Sequence, residues 1–292
     1  MKSALSMTSP KREAAGVRDP ILLFAQPVTE DPTTLGLERG AALLPGGDAL
    51  LPSGLPMTIG MEHQPDFVRA VAHACREQVL RGRDWYSHGV MALMGSKNAG
   101  RGHAARRLAA ATGLPLFVVD ASTPAGRAQL KGTAAPGCTA LPPFPVLAVA
   151  ASRCGNPIIL IEGVRQGTDL VDLIGPFIDP DRAPRYESAH LGCALDVGEI
   201  NWIIQVDGDD GVSKLPAGWA SVVRFRPPAD HRLALLSLIG AVSDELDSAG
   251  ALERQTLVTV VEAALAGRGG GAPICELVDR LGLTLGAKGP VA

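Results

Sequence analysis

Residues 93–102 read Leu-Met-Gly-Ser-Lys-Asn-Ala-Gly-Arg-Gly. Gly95 and Gly100 stand at the G-x-x-x-x-G spacing of a phosphate-binding loop, so Gly95, Ser96, Lys97, Asn98, Ala99, Gly100, Arg101 and Gly102 form a candidate nucleotide cradle. In such a loop, backbone N–H groups and the dipole of the following helix hold the phosphates. A lysine reaches the outer phosphates, and a Ser/Thr hydroxyl binds Mg²⁺. Here Arg101 takes the lysine position and Gly102 the hydroxyl position. Arginine keeps the charge but is a planar fork rather than a point charge, and glycine offers a metal no oxygen. Lys97 is the other cation within the loop. The plain alternative is a tight strand-to-helix turn in a chain with 34 glycines.

A second candidate lies at Asn156–Val164, Asn-Pro-Ile-Ile-Leu-Ile-Glu-Gly-Val. An apolar run ending in an acid at the carboxyl end of a strand is where a nucleotide-binding sheet collects its ligands, which singles out Glu162. Gly163 follows it and supplies no second acid. By itself the segment also suits an ordinary core strand followed by a turn.

Both candidates need a parallel sheet to position them. Strand patterns fall near Val90–Met94, Leu116–Asp120, Ile158–Glu162, Trp202–Val206 and Val222–Phe225. Helical patterns fall at Pro65–Arg81, His103–Ala111, Val146–Arg153 and Leu170–Phe177. Strands separated by helices predict a parallel sheet covered on both faces. The Pro- and Gly-rich residues 1–60 show no sustained period and predict an irregular arm. After Pro228, Leu233–Leu246, Leu252–Leu265 and Ile274–Leu281 show helical spacing only. The expected division is an arm at 1–60, an α/β domain at 61–228 and a small α-helical domain at 229–292.

Composition narrows the classes. With 292 residues, 46% of them hydrophobic, the chain can bury a full core. A net charge of −3 gives no basic field for nucleic acid. The five cysteines form no C-x-x-C pair and suit a reducing compartment, and no apolar run approaches the roughly 20 residues of a membrane span. A cytoplasmic location without membrane attachment is expected. The six histidines lack metal-ligand spacing, and no G-x-S-x-G elbow occurs. Asp207-Gly208-Asp209-Asp210-Gly211 superficially suits a calcium loop, but its twelfth position is Gly218 rather than glutamate. No metal site is expected.

Along residues 85–282 the chain resembles the AAA+ ATPases of the Lon type. Arg101–Phe117 is similar to the helix that follows their phosphate loop. Ile178–Asp207, with Tyr186, Asp196 and Trp202, is similar to the stretch between their second acid motif and sensor 1. The resemblance implies a P-loop NTPase core with a small α-helical lid, in which Glu162 is a degenerate Walker B acid and Asp207 occupies the sensor 1 position. It also exposes departures. Gly163 replaces the acid that polarises water, and Asp207 replaces an asparagine, adding negative charge where polyphosphate would lie. Residues 215–223 carry no finger arginine, and Gly269–Ile274 replaces the lid's sensor helix, leaving Arg268. Cys138 stands where a pore-loop aromatic is usual, between Lys131 and Phe144. No Lon peptidase segment is recognisable.

The resemblance therefore implies weak ATP binding, poor provision for Mg²⁺ and little or no hydrolysis. The expected role is a scaffold or regulatory subunit with a protein partner or within a homo- or hetero-oligomeric AAA+ ring. The alternative is an active ATP-dependent protein-remodelling ATPase that uses Lys97, Arg101 and Glu162.

Overall fold

The computed structural model describes residues 21–22, 41–42, 46–50, 59, 61, 63–96, 99–132, 142–164, 169–188, 193–207, 216 and 218–226. The expected lid at 229–292, Lys97, Asn98, Cys138 and the Asp209–Asp210 turn lie outside them, as does most of the arm at 1–60.

Ten elements build the core: α1 (Pro65–Leu80), β1 (Val90–Gly95), α2 (Arg101–Thr112), β2 (Leu116–Asp120), α3 (Pro124–Lys131), α4 (Phe144–Ser152), β3 (Ile158–Val164), α5 (Leu170–Ile178), β4 (Asn201–Asp207) and β5 (Ser221–Arg224). The five strands form one sheet in the order β2-β3-β4-β1-β5, every pairing parallel. The molecule is thus an α/β structure with a parallel sheet flanked by helices.

Alternation along the strands sorts side chains to the two faces. Met91, Leu93, Ile158, Leu160, Ile203 and Val223 pack with Phe67 and Val71 of α1 and with Ala104, Ala105 and Leu108 of α2. On the opposite face, Ala92, Met94, Ile159, Ile161, Trp202 and Ile204 meet Leu130 of α3, Val146 and Val149 of α4, and Leu173, Ile174 and Phe177 of α5. Both faces are covered, so central strands read as unbroken apolar runs. Ile59 and Met61 are fully buried with α1 and α2, so the chain just ahead of α1 contributes to the core.

Two features were not anticipated from periodicity. Helix α3 starts at Thr123, whose hydroxyl accepts from the Gly126 N–H, with Pro124 in its first turn. A short antiparallel hairpin pairs Tyr186–Ser188 with Cys193–Leu195. Outside the core, Ile21–Leu22 pairs with Ala41–Ala42, followed by a 3-10 turn at Gly47–Leu50. Among the described residues no helix is long and apolar enough to cross a membrane.

Candidate functional site

The carboxyl ends of β1, β3 and β4 meet the start of α2, and strand alternation decides what gathers there. Glu162 shares its face with Ile158 and Leu160, and Gln205 and Asp207 share theirs with Ile203, so all three carboxyl-end residues lie on the α2 side. Register places Asp207 beside Gly95. The two sequence candidates therefore converge: a Cβ built on Gly102 would lie 3.3 Å from Glu162 Oε1 and 3.2 Å from Gln205 Nε2.

The loop's glycines have separate tasks. A Cβ at Gly95 would stand 2.6 Å from the Phe225 carbonyl oxygen, because Phe225 donates its N–H to Met94 O at 2.7 Å and continues β5 closely past the loop. Gly100 adopts the left-handed conformation at φ 85° as the N-cap of α2, after which Ala104 N–H donates to its carbonyl at 2.9 Å. Ala99 N–H donates to Ser96 O at 3.2 Å.

Arg101 opens α2, yet its side chain is only 4% exposed. Its guanidinium donates to Val206 O at 2.5 Å and Leu93 O at 3.4 Å, and to Asp207 Oδ1 at 2.6 Å. The carboxylate expected to repel polyphosphate is thus ion-paired to the arginine expected to hold it, across the ends of β1 and β4. Buried guanidinium groups are rare without such a partner.

Glu162 Oε1 accepts from Gln205 Nε2 at 3.0 Å. The β3 register shifts between Ile161 and Val164, and within this irregularity Gly163 sits at φ 70°. A Cβ there would come within 2.6 Å of Asp120 Oδ1, 2.8 Å of Ser122 Cβ and 3.0 Å of Ser122 N. Position 163 thus has neither the backbone nor the space for a larger side chain.

No protein-family model matches the chain, and no curated protein matches it either.

These residues do not suit a magnesium-organising role. Gly102 has no oxygen, Glu162 is tied to Gln205, and among the described residues no group of three or more His, Cys, Asp or Glu side chains is placed to hold a metal.

The opposite edge of the sheet is structural. Asn201 Oδ1 accepts from His88 N–H at 2.7 Å, and its Nδ2 donates to Asn156 O at 2.8 Å. Asn156 Nδ2 in turn donates to Tyr86 O at 2.8 Å. Burial pushes the Cys75 and Cys154 thiols up to about 11, so neither supplies a thiolate nucleophile near neutral pH.

Sequence reasoning singled out Glu162, Asp207 and Arg101 but missed Gln205 and Asp120 as their neighbours. Gln205 was within reach, because it stands two residues before Asp207 on one strand and so shares its face. Asp120 enters only through the pairing of β2 with β3, where it lies opposite Glu162.

Proposed function

We propose that the chain is a degenerate AAA+-type module of the Lon kind. It has weak nucleotide affinity and little or no ATP hydrolysis, and serves as a scaffold or regulatory subunit in a protein assembly. The observation that carries this reading is Gly163. Its left-handed backbone, and the closeness of Asp120 and Ser122 to where a Cβ would stand, leave no place for a general base at position 163. Support for the loop itself comes from the proximity of Gly102 to Glu162 at the carboxyl edge of a parallel sheet, where ligands of such sheets collect.

The remaining departures act in the same direction. Losing one preorganised polar group in a reacting site costs about 10²–10³ in rate, and an absent arginine finger about 10³–10⁵. Such losses do not multiply cleanly, but together they leave a rate of roughly 10⁻³ per second or less. A module without turnover keeps its surfaces, which is what a scaffold uses.

Phosphate release from Mg²⁺–ATP by the purified protein tests the reading. The expected result is no release above that low level. Turnover of about one per second, the low end for working phosphoryl-transfer enzymes, would favour the ATP-driven remodelling enzyme instead.

A further inference from the structure

We propose that Asp207 acts as an internal anion that occupies Arg101, so that a nucleoside triphosphate must displace a carboxylate to use that cation. This rests on the proposed nucleotide-loop identity of residues 95–102 and deepens it by naming what restrains the site.

The geometry has three parts. Arg101 is the first residue of α2, where a long cation is ordinarily free to reach solvent or a ligand at the helix N-terminus. Here it is withdrawn to 4% exposure and its fork is distributed over the Asp207 carboxylate, Val206 O and Leu93 O. Asp207 keeps 35% of its side chain exposed, so it is the part of the pair that an entering ligand meets. A phosphate approaching Arg101 would thus meet the Asp207 carboxylate first. Taking Arg101 would cost it a buried charge-assisted bond of the same kind as the bond it would form.

Neighbouring groups hold the pair in place. Register fixes Asp207 beside Gly95, and the first turn of α2 fixes the base of Arg101. Val206 O and Leu93 O belong to adjacent paired strands, so the guanidinium also ties the loop to the sheet. The arginine in place of lysine and the aspartate in place of asparagine form one linked change: each would leave an unpaired charge without the other.

Asp207→Asn separates charge from shape. The asparagine oxygen can still accept from Arg101, so the shape of the pair is kept, but the carboxylate no longer competes with phosphate. Binding of ATP and, separately, of inorganic pyrophosphate is measured by calorimetry on the wild type, on Asp207→Asn and on Asp207→Asn/Arg101→Gln. Phosphate release is followed in the same samples. Asp207→Asn should bind both ligands at least about tenfold more tightly than the wild type, with the gain lost in the double variant. A folded Asp207→Asn with no gain, or a gain that survives replacement of Arg101, overturns the proposal.

Arginine side-chain NMR of the wild type decides the matter even if Asp207→Asn does not fold. In the ligand-free protein the Arg101 guanidinium signals should be protected from solvent exchange, and signals that exchange as fast as those of an exposed arginine overturn the pairing. Phosphate release by the wild type would instead sink the non-hydrolysing reading, while the pairing stands or falls on the Arg101 signals and on Asp207→Asn.

Discussion

Gly163 is held at φ 70° with Asp120 and Ser122 pressed against the place where a side chain would begin. A non-glycine residue in that conformation costs about 1–2 kcal/mol before any clash, and a carboxylate would add repulsion from Asp120. Gly163→Glu, which inserts the acid that the resemblance would want, is therefore expected to lower unfolding stability by at least about 2 kcal/mol and to yield no phosphate release. Urea unfolding and a phosphate assay on the same preparation check both halves. A stable variant that turns over ATP would mean that β3 can present an acid here after all. Arg101 makes the complementary point, since its charge survives in the sequence and is spent inside the fold on Asp207.

At the level of elements, the strands were legible because their side chains are buried on both faces. Ile158–Ile161 and Trp202–Ile204 are continuous apolar runs, and each sits in the sheet as its pattern implies. Helix α3 escaped because its eight residues bury only Gly126 and Leu130, too few for a periodic stripe, although Thr123-Pro124 already spelled a helix start. The hairpin at 186–195 escaped because its strands are three residues each, below the length at which alternation can be recognised. The convergence of the loop with Glu162 followed from chain order and the habits of parallel sheets. The pairing of Arg101 with Asp207 did not, because spacing says where a charge sits along the chain and not which neighbour takes it. Gly163 read only as a missing acid, since its left-handed backbone comes from the β3 irregularity rather than from any local pattern.

Across the whole molecule, two packed faces leave the two edges of the sheet with different work. The carboxyl edge gathers Glu162, Gln205, Asp207 and the loop, whereas the amino edge is locked by Asn156 and Asn201 around Tyr86 and His88. That lock carries a pH signature. Burial lowers the His88 pKa from 6.5 to about 4, and neither ring nitrogen has a well-formed hydrogen bond. Between these values the unfolded chain binds a proton that the folded chain refuses, so stability rises with pH through the window and falls as pH drops from 6.5 toward 4. The loss should approach about 3 kcal/mol. Urea midpoints taken across that range should show a shallower decline in His88→Phe, which keeps a ring against Tyr86 and removes the titration. Equal declines in the two proteins would show that His88 is not the group responsible.

The central claim is that Arg101 is already engaged by Asp207. Its most direct test is a crystal structure of the wild type grown with a millimolar non-hydrolysable ATP analogue and Mg²⁺. The account predicts the Arg101 guanidinium on Asp207 and no triphosphate seated on residues 95–102. Density for a nucleotide there, with Arg101 turned onto its phosphates and a magnesium ion beside Glu162, would contradict it.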